Sequence, residues 1–277
     1  MFPDKDVEPI PTRECIFNVD IPIPSLVTDP LVADYLEPGT LHMTLGPGRF
    51  AIGRRSPHNS FGMLCIDIDH GPPGPVNGSW NTPGDVGVLR GRFAKFNRPV
   101  RSFLEHATEC WKWQIANAAE LDSWRSPSGR VLLLGDAAHA MVPHAAQGVS
   151  QGFEDGIAIA RLLRWARRSE DIPFICERFE MLRRPRVEKF VQLSLSNAAR
   201  HSLEDGPEQQ ARDEAIRSMR KARPATNWTA IRPDQDASPT SPEFMKWVAD
   251  YNIILEVRYY AGLPGCLEML TATRSTD

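Results

Sequence analysis

Residues 129–156 read GRVLLLGDAAHAMVPHAAQGVSQGFEDG and are the most informative part of the sequence. An apolar run at residues 131–134 ends at Gly135 and Asp136, which is how a strand that is buried on both faces stops. A loop of small residues follows, and a helix is predicted from about residue 150 to residue 167. The sequence therefore predicts a strand, a loop and a helix in direct succession.

The predicted loop offers two ways to hold a ligand. Asp136 stands at the carboxyl end of the strand, where α/β sheets present ligands, and its carboxylate can accept hydrogen bonds from a polyol chain. Backbone N–H groups at the start of the helix favour an anionic or electron-rich ring edge. Gly148, Gly152 and Gly156 recur every four residues, so one helix face lacks side chains and can meet a flat ligand closely.

The flanking sequence combines β-prone and helical segments. Short β-prone runs at residues 40–45, 49–52 and 61–69 lie between Gly/Pro turns, which predicts an antiparallel sheet. Short amphipathic helices follow, and Trp111 and Trp113 begin another strand, on which they share a face that is either core or a wall for substrate stacking. A second long helix is predicted at residues 173–200, where Pro185 should kink or interrupt it, and a closing helix at residues 244–257.

Composition limits the class of protein. The chain has 277 residues, 42% of them hydrophobic, which is enough for a real core. The net charge of −3, without long blocks of like charge, argues against nucleic acid or an anionic membrane as the main partner. Five scattered cysteines indicate a reduced, intracellular chain. Without a signal peptide or a membrane-spanning apolar run, the expected location is the cytosol.

The stretch GDAAHAMVPHAAQGVSQGFEDG, residues 135–156, resembles the GD-containing flavin motif of the salicylate and para-hydroxybenzoate hydroxylase type of FAD-dependent monooxygenase. The flanks agree with this resemblance at Trp124, Gly129, Arg130, Leu162, Leu163, Arg178, Phe179, Arg183, Arg184, Arg186, Asp250 and Tyr251. The resemblance covers roughly residues 15–260 and is strongest at residues 129–190.

The resemblance implies FAD as the cofactor and NAD(P)H as the reductant. The implied flavin-contacting residues are Gly135, Asp136, Pro143, Gln147, Gly148 and Val149. Asp136 would bond the ribityl chain, the backbone at Gly148 and Val149 would meet the pyrimidine edge of the isoalloxazine, and the helix start at Gln147 would stabilise negative charge there. Pro143 would line the face where O2 and substrate approach. One oxygen atom would enter a small aromatic or polyketide/terpenoid-like substrate, in secondary metabolism.

The fold class implied is α+β, with an antiparallel or mixed substrate-domain sheet plus the GD strand–loop–helix of a para-hydroxybenzoate-hydroxylase-like FAD domain, truncated at the N-terminus. Residues 1–125 would form the substrate-side sheet and short helices. Residues 126–202 would form the flavin-motif strand and helices, and residues 203–277 a polar loop and a C-terminal helical segment.

One family feature is missing. No GxGxxG occurs in the 277 residues, so the half that would hold the ADP portion of FAD is absent. Three consequences stay open: a partner chain that supplies this half, self-association through uncovered apolar surface, and a non-redox pseudoenzyme that works as a cyclase, isomerase or binding protein without FAD.

Other sites compete with the flavin motif. Residues 148–152 match the GxSxG nucleophile elbow of α/β-hydrolases, but the elbow needs a strand immediately before Ser150, and only His201 lies downstream as a base. His139 and His144 lack a third ligand nearby, which favours a structural or cofactor-lining role over a metal site. Two arginine clusters are interpreted as solvated helix faces: Arg164, Arg167 and Arg168, and Arg183, Arg184 and Arg186.

Overall fold

The computed structural model describes residues 8–72, 81–222, 230–239 and 241–261. The chain divides into two compact units. We call residues 9–117 and 197–221 the sheet unit, and residues 1–8, 118–196 and 222–277 the helical unit. The three-part division at residues 125 and 202 stays a prediction.

Six antiparallel strands form the sheet unit, in the order β2-β3-β4-β1-β6-β5. They are β1 (Ile10–Pro22), β2 (Leu41–Gly46), β3 (Arg49–Arg55), β4 (Ser60–Asp67), β5 (Asn81–Pro83) and β6 (Trp111–Asn117). β2, β3 and β4 confirm the three predicted runs, and β6 begins at Trp111 as predicted. β1 was not predicted, although it pairs with both β4 and β6.

One face of the sheet carries the main core of this unit. Helices α1 (Ile23–Leu26), α2 (Val86–Arg92) and α3 (Arg98–His106) contribute to this core. Phe61 of β4 stacks on Phe103 of α3 with 4.2 Å between ring centroids. α2 begins where it does because the Asp85 carboxylate accepts hydrogen bonds from the N–H groups of Gly87 and Val88. α2 and α3 confirm the predicted short helices.

The opposite face of the sheet is apolar and only partly covered. Ile16, Phe50 and Ile66 are buried there, and around them lie half-buried side chains: Leu45, Ile52, Leu64, Ile68, Trp113 and Ile115. Ile16 lies opposite Trp113 in the register of β1 and β6. The Trp113 Nε1–H donates to Asn81 Oδ1 at 2.7 Å, which fixes the orientation of the ring.

Helices dominate the other unit. They are α4 (Asp136–His139), α5 (Gly148–Leu163), most of α6 (Ile172–His201), α8 (Pro242–Asp250) and α9 (Ile253–Ala261); α7 (Pro207–Ala222) lies almost wholly in the sheet unit. α5 and α6 confirm the two long helices. The prediction was a kink or an interruption at Pro185. α6 continues through Pro185 without interruption, and the kink stays a prediction. Leu182 and Val187 on either side of Pro185 are buried in one core, and this packing offsets the missing backbone hydrogen bond.

The strand predicted before Gly135 does not form. Residues 131–134 take part in one isolated bridge, between Arg125 and Leu132, and Val131 and Leu134 are 53% and 36% exposed. A strand buried on both faces needs neighbouring strands, and the described part of the chain places none beside this segment. The fold class is α+β, as predicted.

The predicted closing helix is two helices, α8 and α9. Asn252 separates them because its Oδ1 accepts a hydrogen bond from the N–H of Ile254, at 3.1 Å, and so starts α9. Within the described ranges, no helix is long and apolar enough to cross a membrane. The four cysteines that the structure describes are buried and form no disulfide, and Cys266 lies outside the described residues.

Candidate active site

The site predicted from the sequence starts at a glycine turn in the helical unit. Gly135 has a φ of +55°, in the left-handed region that favours glycine, and its carbonyl accepts hydrogen bonds from the N–H groups of Ala138 and His139 at 2.9 Å. Asp136 follows as the first residue of α4. Its side chain is exposed and receives no hydrogen bond from any described residue. The carboxylate is therefore available to a ligand.

α5 begins beside Asp136. A Cβ built on Gly148 would lie 3.9 Å from Asp136 Oδ1, and one built on Gly152 would lie 4.0 Å from the Cα of Gly135. Glycine at these positions lets the first turns of α5 approach the Gly135 turn closely. Gln147 precedes the helix without capping it, so the first N–H groups of α5 lack a side-chain acceptor in the described ranges. A carboxylate and free N–H donors thus share one surface.

The loop between α4 and α5 is anchored on both sides of Pro143, which is exposed. Ser194 of α6 is fully buried, donates its hydroxyl hydrogen to the carbonyl of Val142 at 2.5 Å, and accepts from the N–H of Ala145 at 3.0 Å. Ala146 has a φ of 52°, a conformation that residues with a side chain rarely adopt. Such local strain persists only where the surrounding contacts fix the backbone, as they do here.

Asp155 of α5 is fully buried next to this loop. Its Oδ2 accepts from the N–H of Gly135 at 2.9 Å and lies 2.7 Å from Nε2 of His139, and its Oδ1 accepts from Nε of Arg183 at 2.8 Å. Burial raises the pKa of this carboxyl, but the hydrogen bonds from His139, Arg183 and Gly135 outweigh burial and lower the pKa below its ordinary value. Asp155 is therefore an ionised, acceptor-only group, and the shared hydrogen is on His139 Nε2.

Arg183 of α6 extends this buried network. Its side chain is fully buried and donates to Asp155, to Glu154 at 2.6 Å and to Oε1 of Gln151 at 2.7 Å. Burial lowers the pKa of the guanidinium, but its carboxylate partners raise that pKa by more than burial lowers it. The pKa is therefore above its ordinary value, and Arg183 carries its charge inside the protein. Three residues of α5 are thereby tied to one side chain of α6.

Arg186 continues the same arrangement one turn later. It donates two hydrogen bonds to Glu154, at 2.9 and 3.0 Å, and its guanidinium carbon lies 3.5 Å from the centre of the Tyr251 ring. Only 6% of Arg186 is exposed. The interpretation of Arg183 and Arg186 as a solvated helix face is therefore wrong, because both are internal cations balanced by acidic residues of α5. Arg164, Arg167 and Arg168 are exposed, as predicted.

The rival sites do not form. Ser150 is the third residue of α5, and a short 3-10 turn at Pro143–Ala145, not a strand, precedes that helix, so the nucleophile-elbow reading is wrong. Among the residues that the structure describes, no cluster of His, Cys, Asp and Glu could hold a metal ion. His139 has a structural role through its contact with Asp155.

Comparison with known proteins points to one family. Residues 103–194 match the family described as FAD binding domain. The chain is similar to FAD-dependent monooxygenases of the salicylate hydroxylase type. It is 27% identical over 259 residues to the FAD-dependent monooxygenase OpS4 of Beauveria bassiana, covering 92% of this chain and 57% of OpS4. It is 33% identical over 135 residues to a salicylate hydroxylase of Pseudomonas putida, covering 48% of this chain and 31% of that enzyme.

The solved structure of a salicylate hydroxylase substrate complex has the same fold. It matches with a TM-score of 0.74 at 22% sequence identity, covering 94% of this chain and 59% of that one. At this identity the likeness shows the fold alone. The chain spans 57% of the length of OpS4 and 31% of the length of the salicylate hydroxylase.

The residues of the site fit the flavin that this family binds. The free carboxylate of Asp136 suits the hydroxyl groups of a ribityl chain, and free N–H groups suit the carbonyl and nitrogen acceptors of the pyrimidine edge. Gly148 and Gly152 leave this surface without side chains. The structure brings Gly135, Asp136 and Gly148 together, and places Gln147 and Val149 at the start of α5. Their contacts with a flavin stay predictions.

The buried and half-buried residues that hold the loop escaped prediction, and these are Gln151, Glu154, Asp155, Arg183, Arg186 and Ser194. A signal was available for the arginines. Phe179, Arg183, Arg186 and Phe190 are four, three and four residues apart, so they share a helix face, and both phenylalanines are fully buried. No such pattern marks Asp155, because exposed Gly156 and half-buried Glu154 flank it.

Proposed function

We propose that this chain is the isoalloxazine- and substrate-side part of an FAD-dependent monooxygenase. With NAD(P)H and O2 the enzyme would hydroxylate or epoxidise a small aromatic or polyketide/terpenoid-like substrate in secondary metabolism. The observation that carries the proposal is the free carboxylate of Asp136 beside the uncapped first turn of α5. The relationship to a salicylate hydroxylase supports an aromatic substrate.

Each predicted residue has a binding role in this proposal. Asp136 accepts hydrogen bonds from the ribityl hydroxyls, and Gly135 precedes it in the turn. The N–H groups of Gly148 and Val149, just after Gln147, donate to the pyrimidine edge, where the helix start contributes about half a positive charge. Pro143 bounds the face open to O2 and substrate. When bound, the flavin supplies the transfer of electrons from NAD(P)H to O2.

The partly covered face of the sheet supports an apolar substrate. Trp113, Ile115 and Leu64 are half-buried on that face, and a flat molecule laid against them would be favoured by about 25 cal/mol for each Å² of apolar surface removed from water. We propose that this face of the sheet unit binds an apolar or aromatic molecule. Trp113→Ala should weaken salicylate binding while FAD affinity stays unchanged, and equal losses of both would contradict this proposal.

The decisive test of the flavin site is an absorbance spectrum of the purified chain, followed by FAD titration of wild type and Asp136→Ala. Loss of hydrogen bonds to a charged acceptor, worth about 1.5–3 kcal/mol, should weaken FAD binding roughly 10- to 100-fold. Asp34→Ala is the control, because Asp34 is also an exposed carboxylate in the first turn of a short helix (Ala33–Tyr35), and it should not change the affinity.

Two outcomes would count against the proposal. A colourless chain that does not bind FAD at high concentration is not a self-sufficient flavoprotein. If that chain still binds salicylate, the non-redox reading as a cyclase, isomerase or binding protein replaces this one. Equal weakening by Asp34→Ala and Asp136→Ala would remove the assigned role of Asp136.

A partner polypeptide would complete the cofactor site. Exposed apolar side chains lie on and before α5, namely Val131, Leu134, Val149, Phe153 and Ile157. We propose that a dinucleotide-binding polypeptide with GxGxxG covers them, in the cytosol. Co-expression with the part of a salicylate hydroxylase that has no counterpart here should strengthen FAD binding, and Phe153→Asp should prevent this gain. Self-association without any gain in FAD binding would contradict this. Cell fractionation tests the location.

A further inference from the structure

We propose that Asp155 is a positioning residue that fixes the turn carrying Asp136 by binding both ends of that turn. The inference rests on the flavin site proposed above. The turn runs from Gly135 through α4 to His139. A single oxygen, Oδ2 of Asp155, lies 2.9 Å from the N–H of Gly135 and 2.7 Å from Nε2 of His139. The first and last residues of the turn are thus held by one atom.

The turn needs such a contact because it has little stability of its own. α4 has four residues, far fewer than the roughly 12–15 that an isolated helix needs in water. Gly135 contributes no side chain, and a Cβ built there would meet nothing within 4 Å. The Asp136 side chain receives no hydrogen bond from the described residues. The direction of the Asp136 carboxylate is therefore set from outside the turn.

Asp155 can set this direction because it is itself immobilised. Its other oxygen accepts from Nε of Arg183 at 2.8 Å, and Arg183 also binds Glu154 and Gln151 of the same helix. All of Asp155 and all of Arg183 are buried. Rotation of the carboxylate would break the bond to Arg183 and leave a buried cation without this partner, which is costly.

One helix thereby fixes the distance between the two parts of the flavin site. Gly148, whose N–H belongs to the uncapped turn, lies seven residues before Asp155, which is about two helical turns. α5 presents its own N–H donors at one end and, through Asp155, holds the Asp136 carboxylate beside them. A shift of the Gly135 turn would separate the ribityl acceptor from the ring donors.

A double-variant cycle with riboflavin as the probe tests the inference. Riboflavin has the ring and the ribityl chain but no ADP portion, so its binding does not depend on a GxGxxG segment, which these 277 residues do not contain. We expect Asp136→Ala and Asp155→Ala each to weaken riboflavin binding about 10-fold, and the double variant to bind no more weakly than either single one. Losses that multiply to about 100-fold would show that Asp155 does not act through Asp136, and would overturn the inference.

Conservative and control variants separate positioning from general stability. His139→Gln keeps an N–H donor that can reach Asp155 and should bind riboflavin within about 3-fold of wild type, whereas His139→Ala should lose about 10-fold. Asp171→Asn is the matched control, because Asp171 also accepts from backbone N–H groups, those of Arg167 at 2.7 Å and Arg168 at 3.1 Å. If Asp171→Asn weakens riboflavin binding as much as Asp155→Ala, the effect is destabilisation, and the inference is wrong.

Amide hydrogen exchange keeps the inference testable if the wild-type chain does not bind riboflavin. That failure would count against the flavin site in this chain alone, not against the contact made by Asp155. The N–H of Gly135 should exchange at least about 10-fold faster in Asp155→Ala than in wild type or Asp136→Ala. Unchanged exchange at Gly135 would overturn the positioning role.

Discussion

Arg183→Met should destabilise the helical unit by about 3–5 kcal/mol, because it removes one partner from a buried ion pair. The Arg183 side chain is fully buried and lies 2.8 Å from Asp155 and 2.6 Å from Glu154. Methionine keeps much of the length of the side chain without its charge. Glu154 retains Arg186 as a partner, but Asp155 has no other arginine or lysine partner among the described residues, and its buried carboxylate would keep only its contacts with Gly135 and His139.

The adjacent residue provides the control. Arg184 has a side chain that is 26% exposed and pairs with Glu188, which is 61% exposed. It also donates to the carbonyls of Leu121 and Asp122 at 2.8 Å. In Arg184→Met, water can hydrogen-bond to Glu188 and to the two carbonyls. Glu180, which Arg184 also contacts at 3.2 Å, retains Arg125, so the variant should cost only about 1–2 kcal/mol.

The free energy of unfolding is measured in urea at pH 7, with hydrogen exchange of peptides from α5 reporting on the helical unit. In the double variant Asp155→Asn/Arg183→Met the total loss should be smaller than the sum of the single losses by about 1–3 kcal/mol. Equal losses for Arg183→Met and Arg184→Met, or additive losses in the double variant, would refute the argument from buried charge.

Three further predictions concern pH, backbone and surface. The pKa of Asp155 is lowered on folding from its ordinary 3.8, so its contribution to stability is complete well above that pH and is lost as the pH falls through the folded pKa. The free energy of unfolding in urea should therefore differ less between pH 7 and pH 3 for Asp155→Asn than for wild type. Gly129→Ala should lower the Tm more than Gly135→Ala. Both glycines have positive φ, but only at Gly129 would an added Cβ meet another residue, Pro173, at 2.7 Å. An equal decrease in Tm for the two variants would contradict the steric argument. Phe153 is 72% exposed, so Phe153→Ser should change the free energy of unfolding by less than about 0.5 kcal/mol. It should also reduce self-association measured by light scattering. Unchanged self-association would show that the apolar surface around Phe153 does not cause it.

Local turn signals explain which strands the sequence reveals. β2, β3 and β4 are short runs bounded by glycine and proline, so each is visible on its own. β1 escapes because it contains Pro11, ends at Pro22, and carries Arg13 and Glu14, which disrupt an alternating pattern. The run at residues 131–134 shows the converse, because an apolar run forms a strand only where other strands pair with it, and pairing is not encoded in the run itself.

In the candidate site, too, local features of the sequence are predictable and contacts between distant residues are not. Asp136 and the glycines of α5 are predictable because the Gly-Asp turn and the four-residue spacing are local features of the sequence. The contacts around Asp155 are not, because His139 lies 16 residues before it and Arg183 lies 28 residues after it. The turn at Gly135 brings His139 to Asp155, and the packing of α6 against α5 brings Arg183 there. A single sequence does not reveal which of these groups meet.

The groups that would face a flavin and the groups that hold the loop are two separate sets of residues. Asp136 is exposed and receives no hydrogen bond from the described residues, so its removal should affect ligand affinity and leave the free energy of unfolding nearly unchanged. Asp155 is buried and bound by three groups, so its removal should lower both quantities. Measuring affinity and stability together therefore distinguishes a residue that contacts the flavin from one that only positions the contact.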